Sequence, residues 1–325
     1  MYGLPKVHKS SVPCRPVCSA IRTPTESISK YLTDMLKPIS SNRHGSDVKD
    51  TFDFVDRIKD KDLQQYHMVS FDVCSLFTNV PLKETIDICM DRLYRGNEEN
   101  KPHIPEHVFR KLLEQCVCNN TFVFNGVVYV QIDGVAMGNS LGPVLANVWM
   151  SHLEETYFYE CEFFPRDLYV RYVDDIFCLF RNYEDIDKFH QFINSIHPST
   201  KFELEYESEN KLTFLDTVVT RSTTPSPVIA THVKASDRGL IYDFSSFVPL
   251  KYKMNLISTL FYRCYKIASS WHIFHSDASR LTKRLVNNGF PRRLVNQCID
   301  KVIARFHYNS RPPKDPKPTK AKIIV

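Results

Sequence analysis

Residues 168–180, LYVRYVDDIFCLF, constrain the fold of this chain more than any other segment. Two apolar runs rich in β-branched and aromatic residues flank the adjacent acids Asp174 and Asp175, which is the pattern of a β-hairpin with carboxylates at its turn. The apolar flanks suit a largely buried sheet. Because neighbouring carboxylates repel each other unless water, a proton or a cation relieves them, the pair indicates either a solvated turn or part of a metal site.

The composition is that of an ordinary globular protein. Its 325 residues, 43% of them hydrophobic, are enough for a large core divided into two or three subdomains. The ten cysteines form no CxxC pair, no signal peptide is recognisable and the longest apolar runs are too short for a bilayer, so we expect an intracellular protein without a membrane segment. Half-sites such as His103/His107 lack a second half, and we expect no zinc.

Basic charge is concentrated near the C-terminus. Residues 251–306 hold eleven Lys and Arg against two acids, and residues 311–325 hold five against one, so the rest of the chain is net acidic although the whole carries +5. A basic region beside an acidic middle indicates a partner that bears phosphates and a separate site that needs cations.

The periodicity of the remaining segments predicts a mixture of helices and strands. Residues 66–71 should form a strand that ends at Asp72, and a helix should begin at about Pro81. Residues 121–131 predict a hairpin whose turn is Asn125-Gly126. Further expected elements are an N-terminal loop or edge hairpin, helices from about 25, 46, 105, 141 and 186, and strands over 201–207 and 212–219. These strands would complete a mixed sheet in a split α+β arrangement.

The chain changes character after residues 223–227, TTPSP, which are typical of a linker. Beyond them the pattern predicts helices over 252–268, 276–288 and 291–306, with Gly289 ending the second and Pro291 beginning the third. We expect a basic helical bundle followed by a disordered tail rich in Pro and Lys.

Seven segments carry a resemblance to a known family. They are GLPKVHK at 3–9, RPV at 15–17, SFDVCSLFTNVPL at 70–82, IDGVAMGNSLGPVLANVWM at 132–150, RYVDD at 171–175, KLTFLDTVV at 211–219 and DFSSF at 243–247. In this order they resemble the reverse transcriptase domain of Penelope-like retroelements, over about residues 2–306. The chain starts inside the fingers of such a domain, so we expect fingers that are incomplete at the N-terminus. No GIY-YIG-type endonuclease segment follows the thumb, and both an autonomous enzyme and a genomic fragment stay open.

The resemblance implies an α+β right-hand polymerase fold with fingers, a split βαββαβ palm and a helical thumb. The implied domains are fingers at 1–65, a palm with a finger insertion at 66–222, a basic helical thumb at 223–308 and a disordered tail at 309–325. The implied activity is that of an RNA-directed DNA polymerase, a nucleotidyltransferase that extends a primer 3′-hydroxyl with dNTPs on an RNA or DNA template. We expect it to act in the nucleus.

The implied catalytic residues are Asp72, Asp174 and Asp175, which the palm would bring together. Nucleotidyl transfer uses one Mg²⁺ to lower the pKa of the hydroxyl and a second to neutralise the triphosphate. Three carboxylates can hold both ions, the carbonyl of Val73 would complete a shell, and Mn²⁺ should substitute. The alternative for Asp72 alone is a strand-end acid that caps a turn.

The resemblance also assigns nucleotide-binding roles to Arg15, Lys30, Phe77 and Gly138. Arg15, and less directly Lys30 and Arg22, would contact triphosphate or template, the alternative being exposed loop charge. Phe77 would lie beneath the sugar and exclude a 2′-hydroxyl, the alternative being core packing. At Gly138 the missing side chain would let the backbone approach the nucleotide.

Two further assignments concern lysines and arginines elsewhere. Lys201 is a candidate general acid for the leaving pyrophosphate, with Lys211 an equal rival. The residues expected to contact the phosphates of the primer and template are Lys251, Lys253, Arg263, Lys283 and Arg284, the alternative being a solvated helix surface. Two other functions stay open: an inactive nucleic-acid-binding remnant, and an RNA-dependent RNA polymerase, against which the aromatic Phe77 speaks.

Overall fold

The computed structural model describes residues 1–5, 12, 14–118 and 120–305. The chain divides into two compact units, the first from Met1 to His232 and the second beginning at Val233. Residues 6–9 of the GLPKVHK segment and the predicted disordered tail at 309–325 lie outside the described residues. Among the helices of the described ranges, none has both the length and the apolar character to cross a membrane.

The first unit contains both helices and strands. Its strands are β1 (Tyr2–Pro5), β2 (Cys14–Val17), β3 (His67–Val73), β4 (Thr121–Phe124), β5 (Val127–Val130), β6 (Leu168–Tyr172), β7 (Asp175–Phe180), β8 (Phe202–Tyr206), β9 (Lys211–Phe214), β10 (Thr217–Thr220) and β11 (Val228–Thr231). Its α-helices are α1 (Glu26–Leu36), α2 (Thr51–Ile58), α3 (Leu76–Asn79), α4 (Leu82–Tyr94), α5 (Glu106–Val117), α6 (Leu141–Leu153) and α7 (Tyr183–Ile196). The predicted strand before Asp72 and the predicted helix after Pro81 are confirmed as β3 and α4.

A four-stranded antiparallel sheet in the order β6-β7-β3-β8 forms the centre of this unit. On one face, Val69 and Phe71 of β3 belong to the main core that the helices complete. On the other face, the ring centroids of Phe177 and Phe214 lie 5.5 Å apart, and that of Phe54 from α2 lies 4.7 Å from Phe214. Because both faces are covered, the inner strand β7 is apolar along most of its length.

The predicted strand over 212–219 is wrong in its boundaries and in its sheet. The chain turns at Leu215, where φ is +52°, so that β9 and β10 form a hairpin. With β11 they make a separate sheet in the order β11-β10-β9, and the predicted mixed sheet is instead two antiparallel ones. Because β11 pairs with β10, the first unit continues to His232, whereas the predicted thumb began at residue 223.

Two hairpins lie outside these sheets. β1 pairs with β2, and β4 pairs with β5 around the predicted turn at Asn125 and Gly126. These two turn residues have φ of +49° and +76°. The apolar side chains of β5 are exposed on both faces, Val128 to 67% among them.

The second unit contains α8 (Leu250–Ile267), α9 (Trp271–Asn287) and α10 (Arg292–Ile303). Its core includes Phe261, Phe274 and Leu285. Helix α9 begins before the predicted start at 276, because the side chain of Ser270 accepts a hydrogen bond from the N–H of Ile273 at 3.3 Å and caps the helix. It ends before Gly289, as predicted, where φ is +81°.

Candidate active site

The three predicted catalytic acids lie at one end of the central sheet. Asp72, near the end of β3, is the register partner of Asp175, the first residue of β7. The N–H of Val73 donates to the carbonyl oxygen of Asp174 at 3.1 Å and joins the end of β3 to the turn. All three acids are half-buried. The fold therefore brings together carboxylates that are far apart in the chain.

The donor atoms at this place fit the predicted magnesium ions in kind, because Mg²⁺ prefers carboxylate and carbonyl oxygens. Within the part of the chain that the structure describes, no group of three or more His, Cys, Asp or Glu side chains converges as a ready metal site. The metal-binding roles of the acids and of the Val73 carbonyl stay predictions.

A fourth acid, which the sequence analysis did not single out, extends the row. Glu203 on β8 is the register partner of Asp72 on the side away from β7. Directly opposed residues of antiparallel strands share a face, so Asp175, Asp72 and Glu203 lie side by side across three strands. Only the strand register shows this, and the local sequence around Glu203 carries no signal of it.

Arg171 is the other site residue that the sequence analysis missed, except as a letter of the RYVDD segment. It is 1% exposed. Its Nε donates to Oε1 of Glu154 at 2.6 Å, and its Nη2 donates to Oδ1 of Asp47 at 2.7 Å. Burial by itself lowers the pKa of Arg171, but the carboxylates of Glu154 and Asp47 raise it above its ordinary value. Arg171 is thus a permanent buried charge beside the turn that carries Asp174.

A cavity of about 780 Å³ opens among β2, α1, α3 and the loop before α6. Arg15, Lys30, Phe77 and Gly138, the four residues predicted to bind the nucleotide, all line it. They come from four separate segments of the sequence, so only the fold brings them to one cavity. What the cavity binds stays a prediction.

Gly138 closes one wall of this cavity. Its φ is +115°, and a Cβ at this position would lie 2.7 Å from the carbonyl oxygen of Cys18. The N–H of Cys18 donates to the carbonyl oxygen of Met137 at 3.0 Å. Only glycine therefore allows the loop before α6 to lie against the segment that follows β2.

Phe77 packs partly against the core and also borders the cavity, and its place beneath a sugar stays a prediction. Its carbonyl oxygen accepts a hydrogen bond from the N–H of Val135 at 2.7 Å, which ties α3 to the loop before α6. Core contacts therefore fix a ring that borders the cavity.

The two basic residues of the cavity differ in their surroundings. Arg15 is exposed on β2. Lys30 is paired with Glu26, Nζ to Oε1 at 2.7 Å, and this hydrogen bond is the main reason that the pKa of Glu26 is lowered. A phosphate contacted by Lys30 would have to compete with Glu26.

Lys201 lies at the C-terminal end of α7. Its Nζ donates to the carbonyl oxygens of Asn194 at 2.6 Å and His197 at 3.3 Å, which satisfies carbonyls that the helix leaves open. Its rival Lys211 is the first residue of β9. The structure favours neither lysine as the general acid, and that role stays a prediction.

The structure corrects one of the five predicted phosphate contacts in the second unit. Lys253 is 5% exposed, and its Nζ donates to the carbonyl oxygens of Phe244 at 2.5 Å and Ser246 at 2.7 Å, so its charge serves to hold that segment. Arg284 is paired with Asp237 at 2.8 Å. The other three are Lys251 and Lys283, which are exposed, and Arg263, which is half-buried.

Comparison with known families gives two matches. Residues 7–220 match the model described as reverse transcriptase (RNA-dependent DNA polymerase). Residues 240–300 match the model described as animal helix-turn-helix domain. A search of curated proteins found no match.

Solved polymerase structures resemble this chain at low sequence identity. Telomerase from Candida albicans in complex with a TWJ fragment of telomeric RNA aligns over 88% of this chain and 53% of its own, with 9% identity and a TM-score of 0.56. Apo telomerase from Candida tropicalis, truncated from its C-terminal domain, aligns over 64% and 45%, with 18% identity and a TM-score of 0.49. The chain spans about half the length of these structures. The first likeness concerns the fold alone, and with the family match it confirms the predicted right-hand polymerase fold.

Proposed function

Because the chain belongs to the reverse transcriptase (RNA-dependent DNA polymerase) family, we propose that it extends the 3′-hydroxyl of a primer with dNTPs on an RNA or DNA template. The observation that carries the proposal is the pairing of Asp72 with Asp175 across β3 and β7, with Asp174 at the adjoining turn. Carboxylates held together at a sheet end are the ligands that nucleotidyl transfer with two metal ions requires.

Each part of the site has a proposed task. The three acids would hold the divalent ions, which when bound supply charge stabilisation for the transferred phosphoryl group. Arg15 would hold the triphosphate, and the wall at Gly138 would let the nucleotide lie against backbone. Phe77 would border the sugar and leave no room for a 2′-hydroxyl.

The finer identity that we propose is an enzyme of a Penelope-like retroelement that acts in the nucleus. The support is the order of the seven segments along the chain. We further propose that the first unit contains fingers and palm, and that the second unit is a thumb that contacts the primer–template duplex. Lys251 and Lys283 are exposed there and would meet its phosphates.

Primer extension by the purified chain tests the proposal. The assay uses RNA and DNA templates, dNTPs or NTPs, and Mg²⁺ or Mn²⁺, with Asp72→Asn as the inactive variant and Asp60→Asn, at an exposed acid outside the site, as its matched control. We expect dNTP extension by the wild type and by Asp60→Asn, and none by Asp72→Asn. Equal use of NTPs would indicate an RNA polymerase instead. Nucleic-acid binding without any extension would indicate an inactive remnant.

A further inference from the structure

The turn between β6 and β7 has an unusual backbone. Val173 has φ of +57°, in the left-handed region that β-branched residues rarely adopt. Such a conformation is strained and persists only where the surroundings enforce it. Val173 directly precedes Asp174, so its backbone conformation determines the position from which the Asp174 side chain extends.

The side chain of Arg171 contacts the backbone of this turn from within the protein. Nη1 of Arg171 donates to the carbonyl oxygen of Val173 at 3.1 Å and to Oδ1 of Asn147, on α6, at 3.0 Å. The Arg171 side chain is fully buried, and its other nitrogens are held by Glu154 and Asp47. A guanidinium fixed at three places is a rigid support for the peptide between Val173 and Asp174.

Glu154, one of the two acids that hold Arg171, is itself buried and accepts several hydrogen bonds. Glu154, whose side chain is 0% exposed, also accepts hydrogen bonds from the hydroxyl of Tyr169 at 2.8 Å and from Nδ2 of Asn42 at 2.5 Å. It begins a π-helical turn, Glu154–Phe158, a geometry that is frequent at functional sites. The network therefore ties α6 and β6 to one point of the catalytic turn.

We propose that Arg171 is a positioning residue, which holds the strained Val173 peptide so that Asp174 lies correctly beside Asp72 and Asp175. The turn is held from two sides, by Arg171 at the carbonyl of Val173 and by the N–H of Val73 at the carbonyl of Asp174. The inference rests on the proposed function, because it concerns the same three acids. A purely structural role, neutralising Glu154, is the competing explanation.

Arg171→Lys separates the two roles, because lysine keeps a charge near Glu154 but cannot contact Glu154, Asp47 and Val173 at once. We expect about tenfold weaker Mn²⁺ binding in an electron paramagnetic resonance titration, and a kcat for extension about 10²-fold lower with KM for dNTP within about twofold. The matched control is Arg181→Lys, at an exposed arginine paired with Asp167 just after β7, which should behave as the wild type. If Arg171→Lys unfolds, the variant Arg171→Met with Glu154→Gln removes both buried charges and should show the same losses while folded by circular dichroism.

The outcomes distinguish the inference from the proposed function. A folded Arg171 variant with a lowered Tm but wild-type Mn²⁺ binding and extension would overturn the inference and leave the polymerase intact. A wild-type chain that binds Mn²⁺ but does not extend a primer would overturn the proposed function, while weakened binding in the Arg171 variant would still support the positioning role. A wild-type chain that binds no Mn²⁺ would overturn the inference.

Discussion

The hairpins β6–β7 and β4–β5 are built from the same kinds of residue and have opposite surroundings. Each consists mainly of apolar, β-branched and aromatic side chains on either side of a short turn. The side chains of β7 after Asp175 are buried, whereas those of β5 are exposed. An isolated two-stranded hairpin is at most marginally stable in water, so β4–β5 depends mainly on its turn, and β6–β7 depends on the core around it.

The two turns show the same contrast. Asn125 and Gly126 adopt positive φ, as such residues do readily in a tight hairpin turn. Val173 adopts positive φ although its branched side chain opposes it, and Arg171 holds its carbonyl. In β4–β5 the residues of the turn themselves favour its backbone conformation. In β6–β7, which carries two of the proposed catalytic acids, the surrounding protein enforces the conformation of the turn.

The largest expected effect is the loss of catalysis at one turn and not at the other. Asp174→Asn should lower primer extension by at least about 10²-fold, because a carboxylate is lost where the transition state gathers charge. Asn125→Asp, the reverse change at the other turn, should leave extension within about twofold. Both are measured by single-turnover extension. Normal extension by Asp174→Asn would remove the catalytic role from the β6–β7 turn.

The contrast between the hairpins also shows which features of the structure can be predicted from the sequence. Both hairpins, the acid at the end of β3 and the segment order were predictable, because local periodicity and turn chemistry determine them. The partners of Arg171 were not, since Asp47 and Glu154 are distant in sequence and meet it only in the packed core. The same holds for Glu203, whose place beside Asp72 depends on strand register, and for Lys253, whose burial the charge pattern conceals.

The second prediction compares two aromatic residues. Phe77→Val should raise the ratio of ribonucleotide to deoxynucleotide incorporation by about tenfold, because it removes a ring fixed between the core and the cavity. Phe122→Val removes a ring of the exposed hairpin, stacked on Tyr129, and should leave the ratio unchanged. Single-nucleotide extension with each sugar on one template measures it. A wild type that already accepts both sugars equally would show that Phe77 excludes nothing.

The third prediction concerns nucleic-acid binding, which we expect at the second unit and at neither hairpin. Residues 121–131 contain no Lys or Arg, and Arg171, the basic residue of 168–180, is buried. Lys251→Glu with Lys283→Glu should flatten the dependence of log affinity on log salt by about 0.9 for each phosphate that the variant no longer neutralises. Lys101→Glu, at an exposed lysine of the first unit, is the control. Fluorescence anisotropy with a primer–template duplex gives the slope, and an unchanged slope would place the duplex away from these lysines.

The smallest expected effect tests the strain at Val173 itself. Elsewhere in a strand, glycine is less stable than alanine by about 0.5–1 kcal/mol, because it loses more backbone entropy on folding. At φ of +57° an L side chain costs about 1–2 kcal/mol, so at position 173 the glycine variant should be more stable than the alanine variant. We therefore expect the free energy of unfolding of Val173→Gly to exceed that of Val173→Ala by about 1 kcal/mol, measured by urea denaturation.

Glycine is compared with alanine because Val173 packs partly against the main core, and both variants lose its two γ-methyl groups. Val170, on extended backbone in β6, is the control position, where alanine should be the more stable of the two. In Gly126→Ala the added Cβ has no neighbouring atom within 4 Å, so the change should lower stability only through the strain of a positive φ. Hydrogen exchange of β4–β5 should detect this loss before global unfolding does. If alanine were the more stable at both 173 and 170, the Val173 turn would hold no strain, and the contrast between the two hairpins would reduce to burial alone.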